Sequence, residues 1–157
     1  MSSLDPFQLQ KLLATAKSHG CRYAIIETTS HGLDQHRFDG IDFDMAMLTN
    51  ITPEHLDYHK TFDQYVEAKR KLFKSTIANT KTHKYAVFPK DDETGRKRLN
   101  EFSFDKQIDY SQTISSSLKA ENVQMTISGT QCDINYLGQS FHLQTSLIGK
   151  FNMYNIL

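Results

Sequence analysis

The stretch from Thr49 to Phe73, TNITPEHLDYHKTFDQYVEAKRKLF, concentrates side chains that can bind a metal ion or carry protons. They are Asn50, Glu54, His55, Asp57 and His59. The amphipathic run that follows has one apolar face at helical spacing, and Lys69 falls on that face. A buried ammonium group is costly unless it is paired, neutralised or chemically altered, so Lys69 is a candidate functional residue. The alternative is a lysine whose charged end extends into water.

A carboxylate elsewhere in the chain can join this stretch. Tyr23-Ala24-Ile25-Ile26 predicts a buried strand that ends at Glu27, and Phe43–Leu48 predicts a second strand that ends at Thr49-Asn50. Ligands bind beyond the carboxyl ends of parallel strands, so Glu27 and the segment 50–55 are expected at one edge. Carboxylate, imidazole and an altered lysine suit a hard cation such as Mg²⁺. Taken singly, Glu27 could be a surface carboxylate and His55 a cap or core histidine.

The remaining elements alternate between helix and strand and then change character. Asp5–Ser18 predicts a helix with the stripe Leu9, Leu12, Leu13 and Ala16. Further along are a polar loop or short helix at 28–37, a helix over 61–77, strands at 85–88 and 108–110, and a charged helix between them that ends near Phe102. After Ser111, alternating segments at 123–127, 132–136 and 141–147 predict a three-stranded antiparallel meander.

The pattern predicts an α/β protein: a Rossmann-like, mostly parallel sheet flanked by helices, with a small antiparallel meander in the C-terminal third. We expect the whole chain, 1–157, to be part of one domain. Within it, residues 1–111 form the parallel part, 112–148 the meander, and 149–157 the start of a helix that Asn152 could cap.

Composition excludes several functional classes. Lysine plus arginine and aspartate plus glutamate number 18 each, which favours neither nucleic acid nor an anionic membrane as a partner. Cys21 and Cys132 fit no metal or disulfide spacing, and we expect reduced thiols. No apolar run approaches the roughly 20 residues of a membrane span, and Asp5-Pro6 interrupts any signal peptide. We therefore expect a soluble cytoplasmic protein without membrane insertion.

Three blocks of the sequence together carry a family resemblance. They are ETTSHGLDQHR at 27–37, FDMAMLTNITPEHLDYHKTFDQYVEAKRKLF at 43–73, and GKFNMYNIL at 149–157. In this order and spacing the chain resembles the central domain of the Mur ligase family, in the branch that makes UDP-N-acetylmuramoyl-tripeptide. The resemblance implies an ATP-dependent amide ligase of peptidoglycan synthesis. It implies Mg²⁺ as cofactor, an acyl-phosphate intermediate, and UDP-muramoyl-dipeptide, ATP and a diamino acid as substrates.

The resemblance also implies roles for individual residues. Glu27 and His55 match magnesium ligands, and Lys69 matches a lysine that carbon dioxide converts to a carbamate. These three residues are the catalytic residues that the resemblance implies. A carbamate is an anion, so it can hold a cation that an ammonium group would repel. The matches to substrate-binding positions are Thr29 (where serine is more usual), Ser30, Gln35 and Arg37, together with Ser2 and Ser3, which Leu4 follows against the family pattern. The matches to nucleotide-binding positions are Asn50, Asp92 and Asn152.

Two departures from the family pattern leave alternatives open. Pro89 stands where the family usually has an asparagine near the adenine, and no G-x-x-x-x-G-K-[ST] loop occurs in the sequence. In the family that loop lies N-terminal to the matching region, so we expect a chain truncated at both ends. Such a chain would be inactive alone, and it would be marginally stable or prone to self-association. The alternatives are a non-catalytic module that binds UDP-muramoyl peptide, and a ligase of the folylpolyglutamate or cyanophycin synthetase type.

Overall fold

The computed structural model describes residues 4–99 and 101–157, apart from the side chains of 94–96. These residues form two compact units, and each is described by itself. Unit 1 contains the described residues up to Phe43 together with Pro53–Thr80. Unit 2 contains Asp44–Thr52 and Lys81–Leu157. Serines 2 and 3, predicted to bind substrate, lie outside the described residues.

Unit 1 is helical in its regular structure. Its helices are α1 (Pro6–Ser18), α2 (Ser30–Asp34), α3 (Leu56–His59) and α4 (Phe62–Ala78). Side-chain caps explain three of the starts: Asp5 accepts from the amides of Phe7 and Gln8, and Thr29 and Thr61 cap α2 and α4 in the same way. Both α2 and α3 pack on α4, whose buried side chains include Tyr65, Val66 and Phe73. The predicted helices at 5–18 and 61–77 are confirmed.

Unit 2 contains a six-stranded sheet whose strand order follows the chain. The strands are β1 (Met45–Met47), β2 (Tyr85–Pro89), β3 (Lys106–Ser111), β4 (Leu118–Thr126), β5 (Gly129–Tyr136) and β6 (Gln139–Thr145). β1, β2, β3 and β4 pair in parallel, and β4, β5 and β6 pair antiparallel. The predicted mostly parallel sheet with a C-terminal meander is confirmed. Helix α5 (Glu93–Leu99) contacts β2.

The meander is anchored by a small apolar core. Ala120 of β4, Cys132 and Ile134 of β5 and Met153 are buried together. Met153 belongs to α6 (Lys150–Ile156), so the last helix covers one face of the antiparallel strands. Within the described part of the chain, none of these or the other helices is long and apolar enough to cross a membrane.

The predicted buried strand at 23–26 is wrong. Residues 21–29 have no regular secondary structure, and the side chains of Tyr23 and Ile25 are 84% and 101% exposed. A strand requires hydrogen-bonding neighbours, and the described residues provide no ladder for this segment. Tyr23 and Ile25 of the apolar run therefore remain exposed in unit 1.

Two details of the predicted helices also need correction. Only Leu9 of the predicted α1 stripe is buried, and Leu12 is exposed because unit 1 does not cover that side of the helix. Asn152 does not cap α6, because the helix starts two residues earlier, after Gly149, and Asn152 lies inside it. Gly149 has φ of +95°, a conformation that favours glycine and explains why the helix begins there.

Candidate functional site

Lys69 lies on the inner side of α4, as its spacing predicts. Its side chain is half-buried, and its Nζ lies 5.8 Å from the centre of the Tyr65 ring. Tyr65 precedes Lys69 by four residues, which places both on one face of the helix. Burial lowers the pKa of the Lys69 amine, while the charges of Glu54 and Glu27 act to raise it. The net lowered pKa increases the fraction of neutral, nucleophilic amine.

Tyr65 lies near His55 as well as near Lys69. The His55 ring lies 6.5 Å from the Tyr65 ring and 4.7 Å from the His31 ring, centre to centre. His55 occupies the position before α3 with φ of +55°, a left-handed conformation uncommon outside glycine and asparagine. Its imidazole is exposed, so an external ligand can reach it.

The three predicted metal ligands therefore fall in one unit. The charges of Glu27 and Glu54 both act to raise the pKa of Lys69, so both carboxylates lie within electrostatic range of its amine. Among residues 4–99 and 101–157, no group of three His, Cys, Asp or Glu side chains has the arrangement of a metal site. That statement does not cover a group that includes Lys69, because an unmodified lysine is not a metal ligand. Converting Lys69 to a carbamate would add the missing anionic oxygens.

The hydroxyl group of Ser30 is buried and hydrogen-bonded to another side chain. Ser30 is 1% exposed, and its Oγ lies 2.9 Å from Nε2 of His59, which is also buried. Burial lowers the pKa of His59, and the neighbouring His31 acts in the same direction. Thr29 uses its hydroxyl group to accept from the Gly32 amide at the start of α2. Both predicted substrate-binding residues thus have structural bonds, and their contact with substrate stays a prediction.

Gln35 and Arg37 are connected to α3 and α4 by hydrogen bonds. Arg37 Nη2 donates to Gln35 Oε1 at 2.6 Å, and Gln35 Nε2 donates to the Tyr58 hydroxyl at 3.3 Å. Tyr58 donates to Asp34 Oδ2 at 3.1 Å, and Lys71 Nζ donates to Asp34 Oδ1 at 2.6 Å. The hydrogen bond from Lys71 holds the pKa of Asp34 below its usual range, and the one from Tyr58 acts in the same direction.

In unit 2, two of the predicted nucleotide-binding residues follow the ends of neighbouring parallel strands. Asn50 follows β1 and is exposed, and Asp92 follows β2. Asp92 Oδ2 accepts from the Ile51 amide at 2.9 Å, which fixes the loop after β1 beside the loop after β2. This edge is the one where open parallel sheets bind ligands.

Asp91 connects the same edge to α6, which carries Asn152. It accepts from Ser111 Oγ at 2.8 Å, the Gln112 amide at 3.1 Å, the Tyr154 hydroxyl at 2.9 Å and Thr113 Oγ1. Burial alone would raise the pKa of Asp91, but these hydrogen bonds outweigh it and lower the pKa. Burial, together with Asp91, raises the pKa of Tyr154 to about 12, so Tyr154 remains a donor near neutral pH.

Sequence reasoning did not assign roles to Tyr58 and Tyr65, or to Glu54 as a neighbour of Lys69. A signal existed for each of them. Glu54 directly precedes His55, Tyr58 lies in the same EHLDYH run, and Tyr65 stands one helical turn before Lys69. None could be ranked without the contacts that the fold creates.

Comparison with known proteins supplies the family. The model of the Mur ligase middle domain matches residues 1–157. A UDP-N-acetylmuramoyl-L-alanyl-D-glutamate–2,6-diaminopimelate ligase of Clostridium acetobutylicum is 37% identical over 153 residues, which cover 98% of this chain and 30% of that protein. The ligase of the same name from Parabacteroides distasonis is 36% identical over 153 residues, with the same two coverages.

Solved structures agree with these relatives. A structure of a ligase of that name superimposes with a TM-score of 0.82 at 30% identity, over 98% of this chain and 31% of its own. A MurF ligase of Thermotoga maritima has a TM-score of 0.62 at 16% identity over 82% of this chain and 28% of its own, which shows a shared fold. The chain spans about 30% of the length of the curated relatives it matches. With a family match over residues 1–157, the chain belongs to the Mur ligase family, to its middle domain.

Proposed function

We propose that this chain is part of an ATP-dependent ligase of peptidoglycan synthesis. It carries residues that bind the metal ion and residues that bind the UDP-linked substrate whose carboxylate reacts. The reaction joins a diamino acid to UDP-N-acetylmuramoyl-L-alanyl-D-glutamate. The observation that carries the proposal is the position of Lys69, half-buried on α4 and within electrostatic range of Glu27 and Glu54. The Tyr65 ring lies near both the Lys69 amine and the His55 ring. The names of the similar ligases, at up to 37% identity over 98% of this chain, support the substrate assignment.

In the proposed chemistry, a substrate carboxylate oxygen attacks the γ-phosphorus of ATP, forming an acyl phosphate and releasing ADP. The diamino acid's amine then attacks the acyl carbon, an amide bond forms, and phosphate leaves with the carbonyl–oxygen bond broken and the amine proton released. Both steps concentrate negative charge, so the ligase needs positive charge that is fixed in place.

The residues of unit 1 fit a magnesium ion that would supply this charge. Lys69 in its neutral form attacks carbon dioxide, a nitrogen–carbon bond forms, and one proton leaves to water. The product is a carbamate anion. Glu27, His55 and this carbamate would hold Mg²⁺, with the carboxylate and the carbamate giving the oxygen ligands that this ion prefers. Without a cation, a carbamate beside Glu27 and Glu54 would be destabilised by like-charge repulsion.

We assign the remaining partners by unit. Thr29, Gln35 and Arg37 of unit 1 would contact the UDP-linked substrate, and Ser30, the fourth predicted residue, is hydrogen-bonded to His59. The nucleotide would bind at the strand ends of unit 2, near Asn50, Asp92 and Asn152, where parallel sheets bind ligands.

The carbamate is tested by ¹³C NMR of the chain in ¹³C-labelled bicarbonate with Mg²⁺. We expect a carbamate resonance in the wild type that is lost in Lys69→Arg, which keeps the charge but cannot form a carbamate. Lys74→Arg, on the exposed side of the same helix, is the matched control and should keep the resonance. A wild-type chain without the resonance would refute this part of the proposal.

A second candidate function is a binding module that holds UDP-muramoyl peptide without hydrolysing ATP. The hydrogen-bonded set of Arg37, Gln35 and Tyr58 favours it, because this set includes none of the predicted nucleotide-binding residues. Calorimetry with UDP-muramoyl-dipeptide and with Mg-ATP, titrated separately into the full-length protein, separates the two. Binding of both ligands supports the ligase, binding of the first alone supports the module, and binding of neither overturns both.

A further inference from the structure

We infer that Tyr58 is a positioning residue, whose hydroxyl group fixes the Gln35 and Arg37 side chains for the UDP-linked substrate. This inference rests on the proposed function. Tyr58 donates its single hydroxyl proton to Asp34 Oδ2 at 3.1 Å, so its oxygen lone pairs face Gln35 Nε2 at 3.3 Å. Because a hydroxyl group donates once and accepts through its lone pairs, one tyrosine can serve both partners.

The direction of these bonds determines which end of Gln35 is available. With its amide nitrogen committed to Tyr58, Gln35 turns its Oε1 toward Arg37, which donates to it at 2.6 Å. Without the hydroxyl group, the Gln35 amide would be free to rotate by half a turn and present a donor to the guanidinium group. Two donors cannot bond, so the hydrogen bond from Arg37 to Gln35 would be lost.

The far end of the network is anchored on α4. Asp34 accepts from Lys71 Nζ at 2.6 Å as well as from Tyr58, which leaves the carboxylate oriented by two donors. Lys71 is two residues from Lys69, so the helix that presents the proposed carbamate also anchors the substrate side. The Tyr58 ring is held independently, 4.2 Å from the His31 ring and 4.8 Å from the His59 ring, centre to centre.

A groove of about 620 Å³ runs beside this network. Asp34, Tyr58 and Lys71 line it together with residues of α4. The hydroxyl group therefore borders open space, and a phenylalanine can replace the tyrosine without creating a cavity. Tyr58→Phe removes two hydrogen bonds while keeping the ring contacts with both histidines.

The test is calorimetric titration of UDP-muramoyl-dipeptide into the chain and its variants. We expect Tyr58→Phe to raise the Kd roughly 3- to 10-fold, the effect of one or two neutral hydrogen bonds. Gln35→Ala should raise the Kd by a similar factor. The double variant should be no weaker than the weaker single one, because both changes break the same connection. Tyr85→Phe removes a hydroxyl group from a half-buried tyrosine of unit 2 and should leave the Kd unchanged.

The outcomes separate this inference from the proposed function. If the wild-type chain does not bind UDP-muramoyl-dipeptide, the proposed function fails and the inference fails with it. If the wild type binds and Tyr58→Phe binds equally well, only the inference is overturned. Multiplying effects in the double variant would also overturn it, since independent effects are expected of residues that do not share a network. Circular dichroism melting of each variant identifies any that are unfolded.

If Tyr58→Phe is unfolded, Gln35→Glu provides a second test. The carboxylate that this change introduces cannot donate to Tyr58, so Gln35→Glu should weaken binding as Tyr58→Phe is expected to do.

Discussion

Replacing Thr130 by valine should stabilise the protein, although it removes a polar group from strand β5. Thr130 is 3% exposed, and its Oγ1 has no hydrogen-bond partner among residues 4–99 and 101–157. Thr130 lies on the same face of β5 as Cys132 and Ile134, because alternate residues of a strand share a face. That face packs on the apolar core that contains Met153. Valine keeps the branched shape and replaces the hydroxyl group with a methyl group.

The expected gain follows from the cost of the unpaired hydroxyl group. A buried polar group without a partner costs about 1–3 kcal/mol. Thr130 is the second residue of β5, beside the turn at Gly129, where some relaxation is possible. We therefore expect about 1–2 kcal/mol of added stability, which for a chain of this size corresponds to a rise in Tm of about 2–8 °C.

Urea unfolding followed by far-ultraviolet circular dichroism measures the change, with an unchanged slope m showing that the same structure unfolds. Thr126→Val on β4 is the matched control. Thr126 is exposed, and its hydroxyl group contacts Ser128 Oγ at 2.9 Å and donates to the Gly129 carbonyl at 3.2 Å, so its loss should be neutral or destabilising. Destabilisation by Thr130→Val would refute the reasoning, because it would mean that the hydroxyl group is hydrogen-bonded in solution.

Three further predictions concern the proposed site and its supports. In the full-length ligase, His55→Gly, which tolerates the positive φ, should raise the Mg²⁺ concentration at half-maximal ligation about tenfold or more. A titration equal to that of the exposed control His83→Ala would remove His55 from the metal site. In the same full-length ligase, Arg37→Ala should raise the KM for the UDP-linked substrate roughly tenfold, the effect of a charged hydrogen bond, with little change in the KM for ATP. Equal changes in both KM values would indicate a structural role. Hydrogen bonds lower the folded-state pKa of Asp91, so its stabilisation is present above the unfolded pKa of about 4 and is lost as pH falls below it. Asp91→Asn should flatten the acid side of the stability curve, whereas the exposed control Asp42→Asn should retain the wild-type slope.

The sequence predicted the regular elements well where the signal is local. The helical spacing over 5–18 and 61–77 and the alternation in β4 and β5 depend on neighbouring residues, and the structure confirms the elements they predict. The segment 23–26 differs because an apolar run indicates burial without naming the partner. To form a strand, this segment would need a hydrogen-bonding neighbour far away in the sequence, and no local pattern specifies one.

The candidate site was predictable in its residue types and not in its connections. Glu27, His55 and Lys69 were identified from strand ends and helical spacing together with the family resemblance, and the structure places them in one unit. The bonds from Tyr58 to Asp34 and Gln35 join residues more than twenty positions apart. Such pairings depend on how α2 and α3 meet α4, which is a property of packing and not of local sequence.

The strand order of the sheet has a consequence for how the protein folds. Met45 of β1 pairs with Tyr85 of β2, across a connection that contains α3 and α4, whereas Thr126 of β4 pairs with Gly129 of β5 across a tight turn. Closing a long loop costs more entropy than closing a short one, so local pairings form more readily. We expect pulse-labelled hydrogen exchange to show protection in β4–β6 before β1–β2. The meander would then act as the template on which the parallel strands, and with them the proposed nucleotide edge, assemble last.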